Sequence, residues 1–572
     1  MHVTVHELLR RPLGSSQRAL YKSMGFADED LARPIVGIAN AHSTIVPGHF
    51  NLAAVTAAVR EGIAQAGGTA VEFGVPGICD GLADHHRGAL YTLPSREIVA
   101  ASVEMIVRGH ALDGIVLVGS CDKIVPGMLM AAARVDVPAV VIVGGPAEGG
   151  AEFHGQAADS SSPDDAVPLV QSGAIDEADF LALENGCQPG CGSCAYLGTA
   201  NSMCCAAEAM GMSLPGSATI PATAAARIRA ARATGNAIVR LINDGVSTRD
   251  ILTPGNLANA VRTMAAIGGS TNTVLHLLAI AQEAGAPLTI DDFADLWGST
   301  PQVARVNPAG PATVPDFHRA GGVPAVMREI LPLLDREGLS VSGRTVAENL
   351  TAGSEAYAGA VDRRIVRTAD EPWHAGGGLA VLRGNLAPAT CITRPAAYPA
   401  GLEVFRGQAR CFDSETDANE AIIGGAIEPG TVLVIRYMGP CGGPGMPEMY
   451  APMKYLAARG LSDTAAIVTD GRFSGTNNGC FVGHVSPEAA RGGPIALVCD
   501  GDVITIDVPR GVLRLELGDD ELSDRRTRWV PPRAKPVDGL LALYARLAGP
   551  AERGALMEVA TLDDRQEGGH AS

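Results

Sequence analysis

The segment "VGSCDKIVPGML", residues 118–129, sets Cys121, Asp122 and Lys123 side by side directly after an apolar run. A thiolate can hold iron or another soft metal, and a carboxylate a hard divalent cation. An amine beside them can pair with the carboxylate or move protons. "GICDG" (77–81) repeats the pairing as Cys79 and Asp80. "CQPGCGSCAYLGTANSMCC" (187–205) adds Cys187, Cys191, Cys194, Cys204 and Cys205 in a Gly-rich loop that turns helical near Cys194. Amides at a helix start favour negative charge, so the Cys194 thiol is expected to have a lowered pKa and to act as a ligand.

Each pattern also has a plainer reading. Asp122 and Lys123 could be a solvated ion pair. "CGSC" (191–194) could be a redox pair, which belongs early in a small domain, or half of a zinc site, which needs a second pair at suitable spacing. Cys391, Cys411, Cys441, Cys480 and Cys499 are scattered and read as small buried hydrophobes. "GGSTN" (268–272) and "GGPG" (442–445) lack the spacing of a phosphate loop.

The elements that must position these residues show in the texture of the chain. From residue 34 continuous apolar runs ("PIVGIANA", "TAVEFGVPG", "DGIVLVGS", "PAVVIVGG") alternate with helical patterns. That order predicts an α/β domain with a doubly wound parallel sheet covered on both faces. In such sheets ligands bind beyond the carboxyl ends of the strands, where both Cys-Asp pairs fall. The stretch 280–372 reads as a helical extension. After about residue 375, short strands such as "TVLVIRYMG", "AAIVTDG" and "DVITIDVP" separated by Gly, Pro and Asp predict a β-rich, barrel-like domain. The expected boundaries are 1–372 and 373–572.

With 572 residues, 47% of them hydrophobic, the chain can bury large cores. A formal net charge of −18 and the lack of a Lys/Arg stripe argue against a nucleic-acid partner and for a small-molecule substrate. No apolar signal core and no run near the roughly 18 residues of a membrane span is found, so no membrane partner and a cytoplasmic location are expected. Reduced thiols there make the twelve cysteines poor disulfide candidates.

Taken in order, "GICDG…YTLPSRE", "CDKIVPGMLMAA", "GSCAYLGTANSM", "AIGGSTNTVLHLLAIA", "HRAGGVPAVM", "GGLAVLRGNLAP", "VIRYMGPCGGPGMPEM" and "TDGRFSGTNNGCFVGHVSPEAA" resemble the dihydroxy-acid dehydratase and phosphogluconate dehydratase family over nearly the whole chain. The resemblance implies a hydro-lyase that converts a 2,3-dihydroxy carboxylate to a 2-keto acid with an iron–sulfur cluster and Mg2+, and usually a homodimer. It implies Cys121 and Cys194 as cluster ligands, and Asp80, Asp122 and Glu448 as magnesium ligands. Lys123 completes that set as a carbamate, and Ser474 of "GRFSG" is the base. Members with a 2Fe-2S cluster carry a cysteine where this chain has Gly48, in "TIVPGHFNL". A 4Fe-4S cluster is therefore favoured, held by Cys121, Cys194 and one of Cys79, Cys187 or Cys191, with Cys191 ranked first.

Substrate features divide. "SLPGSATIPA", "PGMPEM" and the C-terminal "LLALYARLAGPAERGALME" resemble the dihydroxy-acid dehydratase branch, which implies 2,3-dihydroxyisovalerate and branched-chain amino-acid biosynthesis. "TRPAAYPAGLEVFRGQARCFDS" and Thr476 resemble the sugar-acid branch. "LADHHRGALY" places Asp84, His85, His86 and Arg87 where branched-chain members usually read Met-Gly-His-x-Gly-Met. Their side chains are expected to face solvent, which favours the branched acid over an aldonate. A regulatory protein that only binds a cluster is the remaining alternative, and sensing would need the cysteines but not the carboxylates.

Overall fold

The computed structural model describes residues 4–352, 361–399, 401–473, 475 and 479–558. Strands β1 (Ile35–Asn40), β2 (Thr69–Gly74), β3 (Gly114–Val118) and β4 (Ala139–Ile142) form a wholly parallel sheet in the order β2-β1-β3-β4. Every residue of β1, β3 and β4 is buried, alternate positions included, so both sheet faces are covered. That explains the continuous apolar runs. β2 lies at an edge and is buried only in part. Helices Leu52–Gln65 and Ala225–Asp244 pack so closely that a Cβ on Gly235 would lie 2.2 Å from the Val59 carbonyl oxygen. Further along the chain, short helices at Ile290–Gly298, Val314–Arg319, Gly322–Glu329 and Val346–Thr351, joined by irregular stretches, share the apolar core of this sheet.

A hairpin of β5 (Glu152–Phe153) and β6 (Gln156–Ala157) follows, beside helices Ser162–Gln171 and Glu177–Gly186. The second sheet has eight strands: β7 (Ala380–Leu382), β8 (Thr390–Thr393), β9 (Val404–Phe412), β10 (Thr431–Ile435), β11 (Ala466–Thr469), β12 (Cys480–Ser486), β13 (Val503–Asp507) and β14 (Val512–Leu515). Their order is β14-β13-β9-β10-β11-β12-β8-β7, with β9 to β12 parallel and the outer pairs antiparallel. Just past β7, the Arg383 amide donates to the Gly511 carbonyl at 2.9 Å and the Leu513 amide to the Arg383 carbonyl at 2.8 Å. The two edges therefore meet and the barrel is nearly closed, which removes the exposed edges of an open sheet.

Alternation along β10 sorts the two sides of this barrel. Val432 and Val434 join Leu513 and Leu515 in one apolar cluster, whereas Leu433 and Ile435 pack with residues of helices Glu415–Ile423 and Tyr450–Ala458. Those two helices, nine residues each, are the crossovers from β9 to β10 and from β10 to β11. Among the described residues no helix is long and apolar enough to cross a membrane.

Candidate functional site

The parallel strands all end at one rim, and the loops leaving them build a cavity of about 310 Å³. Pro47 and Gly48 come from the loop after β1, Cys79 and Asp80 from that after β2, and Cys121 and Asp122 from that after β3. Cys194 and the start of helix Thr199–Ala209 close one side, and Glu448 arrives from the barrel. Cys121 is held at φ 68°, a left-handed conformation uncommon for a side chain of this type and found mainly where the surroundings enforce it. Buried His49 supports the loop, its Nε2 2.8 Å from the Ser120 carbonyl oxygen.

One carboxylate oxygen from each of Asp80, Asp122 and Glu448 lies within 4.8 Å of the others. Fully buried Lys123 enters this group. Its ammonium hydrogen-bonds to Asp80 Oδ2 and lies 3.3 Å from Glu448 Oε1 and 3.7 Å from Asp122 Oδ2. Arg472 Nη1 and Asn272 Nδ2 also donate to Glu448 Oε1. Burial raises the Asp80 pKa, and burial with Asp80 nearby pushes Asp122 up to about 7. Burial also opposes charge on Glu448, yet Lys123 and Arg472 hold its pKa below the usual carboxylate value. Burial and Arg472 work against the Lys123 ammonium, but Asp80, Glu448 and Asp122 outweigh them and raise its pKa.

The donor set fits a hard divalent cation, which takes oxygen ligands. Asp80 Oδ1 is buried with no hydrogen-bond partner, an arrangement that is costly unless something else satisfies it. Three thiols share the cavity wall: Cys79, Cys121 and Cys194. Burial pushes the Cys79 thiol up to about 11 and the Cys194 thiol up to about 12, and Cys121 well above its ordinary value. Such thiols become thiolates when a metal replaces the proton.

Of the three alternatives for a third cluster ligand, Cys79 lines the cavity and Cys191 does not. The reason is local: the Gly192 amide donates to the Pro47 carbonyl and the Ser193 amide to the Gly145 carbonyl, so the loop is clamped just after Cys191. Cys187, the other alternative, packs with Ala158, Ala166 and Leu183 in a satellite core. Cys194 precedes its helix by five residues rather than starting it, so burial governs its thiol and the expected lowering is reversed.

Gly48 touches the same wall. A Cβ there would lie 2.8 Å from Cys121 Sγ. Of the tract expected to face solvent, half-buried Asp84 lines the cavity instead, and so does exposed His85. His86 and Arg87 are exposed and do not reach it. Ser474 and Thr476 lie outside the described residues, and Gly475 is on the wall. Asn272 and Arg472 were not singled out by sequence reasoning, although "GGSTN" and "GRFSG" contain them.

Carboxylates and thiols at a strand-end cleft between a parallel sheet and a nearly closed barrel define a two-sheet enzyme whose site is completed by both parts. Residues 33–349 match the Dihydroxy-acid/6-phosphogluconate dehydratase N-terminal family, and residues 364–555 its C-terminal counterpart. The chain belongs to that dehydratase family. It is 45% identical over 544 residues to a dihydroxy-acid dehydratase of Moorella thermoacetica, covering 95% of this chain and 97% of the relative. It is 47% identical over 542 residues to one of Pyrococcus furiosus, covering 94% and 97%.

Proposed function

We propose that this protein is a hydro-lyase that removes water from a 2,3-dihydroxy carboxylate to give a 2-keto acid, with 2,3-dihydroxyisovalerate and its homologue as substrates in branched-chain amino-acid biosynthesis. The observation that carries this reading is the meeting of Asp80, Asp122 and Glu448 with three thiols in one cavity. A protein that only sensed through a cluster would have no need of the carboxylates.

In this reading Cys79, Cys121 and Cys194 hold a 4Fe-4S cluster. Asp80, Asp122 and Glu448 hold Mg2+ together with Lys123 as its carbamate, since an unmodified ammonium has no lone pair to offer. When bound, the cluster supplies a Lewis-acidic iron for the leaving hydroxyl, and Mg2+ supplies charge for the carboxylate end. The chain contributes the geometry. Residues 1–372 carry the thiols, Asp80, Asp122 and Lys123, and residues 373–572 close the cavity and deliver Glu448. Arg472, fully buried at the back of the carboxylates, adds a fixed positive charge where negative charge grows as C2 loses its proton. Ser474, as its alkoxide, is assigned the removal of that proton and returns it to the C3 hydroxyl, which departs as water; the resulting enol becomes the keto acid. A homodimer in the cytoplasm, the usual form of the family, completes the reading.

The test is keto-acid formation from 2,3-dihydroxyisovalerate by anaerobically reconstituted protein. Lys123→Met should keep the visible cluster spectrum and lose several orders of magnitude in kcat. Near-normal turnover in that variant would remove the lysine from the site.

A further inference from the structure

Arg394 is fully buried just past the end of β8, where burial acts on its guanidinium and pulls the pKa down to about 10. Among the described residues no carboxylate pairs with it, and its donors go to backbone carbonyls instead. Nη1 donates to the Gly475 carbonyl at 2.6 Å, and Nη2 donates to the Gly268 carbonyl. Gly475 belongs to the loop between β11 and β12, whereas Gly268 caps helix Pro254–Ile267 at φ 63°. One side chain thus ties the barrel to the part of the chain built around the parallel sheet. A planar guanidinium with forked donors fixes the distance between the two carbonyls it holds, as a flexible lysine would not.

The residues beside Arg394 grip the same loop at two further points. The Gly479 amide donates to the Ala397 carbonyl at 3.2 Å, and Thr393 Oγ1 donates to the Phe481 carbonyl at 2.7 Å. On the other side of position 474, Asn272 Nδ2 donates to the Phe473 carbonyl at 3.3 Å. Gly475 is also pressed against Gly198, the N-cap of helix Thr199–Ala209, so closely that a Cβ on it would lie 2.3 Å from Gly198 Cα. Both of those glycines line the strand-end cavity, but Arg394 does not. The carbonyls flanking position 474 are therefore both held by side chains, and both holds lead to the stretch 268–272: Asn272 belongs to it, and Arg394 grips its first residue. Through Asn272 that stretch also fixes Glu448 Oε1.

We infer that Arg394 is a positioning residue for the proton transfer: it fixes the backbone beside Ser474 against the stretch 268–272, and so relative to Glu448, without touching the substrate. The inference rests on the dehydratase reading above, which assigns Ser474 the C2 proton. Arg394 acts on the step in which that proton leaves, and holding a reacting group in register is worth about a hundredfold in rate where a shift of about 1 Å would spoil the approach.

The test uses the anaerobically loaded holoenzyme and 2,3-dihydroxyisovalerate carrying either hydrogen or deuterium at C2. Arg394→Gln should lower kcat by about a hundredfold, keep KM within threefold of the parent and leave the visible cluster spectrum unchanged. The deuterium isotope effect on kcat should be larger than in the parent, because a misplaced base makes proton removal the slow step. A merely structural defect reduces the amount of active protein and leaves the isotope effect where it was. Arg394→Lys, which keeps a donor for one carbonyl only, should fall between the two, and it carries the same comparison if Arg394→Gln takes up no cluster. An unchanged isotope effect, a kcat within threefold of the parent, or a loss confined to KM would each overturn the inference. A parent inactive on dihydroxyisovalerate, or a Ser474→Ala variant as active as the parent, would overturn the reading on which it rests instead.

Discussion

Asn272 Nδ2 and Arg472 Nη1 converge on a single atom, Glu448 Oε1, from 2.6 and 2.8 Å. Lys123 reaches the same oxygen at 3.3 Å, and among the described residues no donor reaches Oε2. The carboxylate is thereby locked in rotation, with one oxygen saturated and the other free to ligate. Asn272 is itself tethered to Thr199 Oγ1 at 2.9 Å, and Arg472 to the Met446 carbonyl at 2.6 Å.

Asn272→Ala should therefore weaken divalent-ion binding about tenfold or more, the usual effect of removing a partner that orients a metal ligand. Mn2+ binding followed by electron paramagnetic resonance reads this directly, without reference to turnover. Raised Mg2+ should restore activity while the visible spectrum stays unchanged. Equal Mn2+ affinity in variant and parent would show that Glu448 needs no such lock.

Substituting the thiols one at a time separates wall from bystander. Cys79→Ser, Cys121→Ala and Cys194→Ala should each lose most cluster iron and absorbance, whereas Cys191→Ala should keep both. Iron retained by Cys79→Ser and lost by Cys191→Ala would return the third ligand to Cys191. Because no thiol occupies position 48 beside Cys121, air should bleach the parent and stop turnover together. Full activity and unchanged iron content after prolonged aeration would count against a 4Fe-4S cluster.

Metal-free protein should lose thermal stability as pH rises from about 6.5 to 8. Burial, then Glu448 and Asp80, push Asp84 up to about 8, and burial holds Asp122 and Asp470 at about 7. In the unfolded chain these carboxyls are already ionised in that window, so the folded state binds more protons and is disfavoured as they leave. Buried His484, held at about 3, and His318, at about 4, act in the opposite sense but only below about 6.5, where unfolded histidines charge. Melting curves across this range should show the decline, made shallower by Asp84→Asn. A flat profile would mean that these carboxyls are not held protonated.

Much of the scaffold was legible because its signals are local. Continuous apolar runs at β1, β3 and β4 require cover on both faces, and that fixes a parallel sheet with its loops at one rim. Asp80 and Asp122 follow from lying just past the ends of β2 and β3. Glu448 could be assigned only by resemblance, since it joins Lys123 across 325 residues of sequence. Asn272 and Arg472 escaped notice for the same reason: neither stretch carries a pattern that announces a partner so far away. That Cys79 lines the cavity and Cys191 does not goes with two backbone hydrogen bonds around Gly192, and the raised pKa of the Cys194 thiol goes with how deeply its loop is buried, neither of which spacing encodes. The barrel was legible as β-rich, but its parallel centre depends on two nine-residue helices too short to stand out between strands.

Glu448 belongs to the part of the chain that a ribosome makes last. All three wall thiols are already in the nascent chain once residue 194 has been added, and the segment up to residue 448 takes on the order of tens of seconds more at about 5–20 residues per second. Through that interval the barrel that will shelter Cys79, Cys121 and Cys194 does not exist. Under the proposed cluster assignment, delivery of the cluster and oxidative damage would compete for the same uncovered thiols before the cap arrives, so the speed of synthesis of the second half would bear on how much of the protein is born loaded.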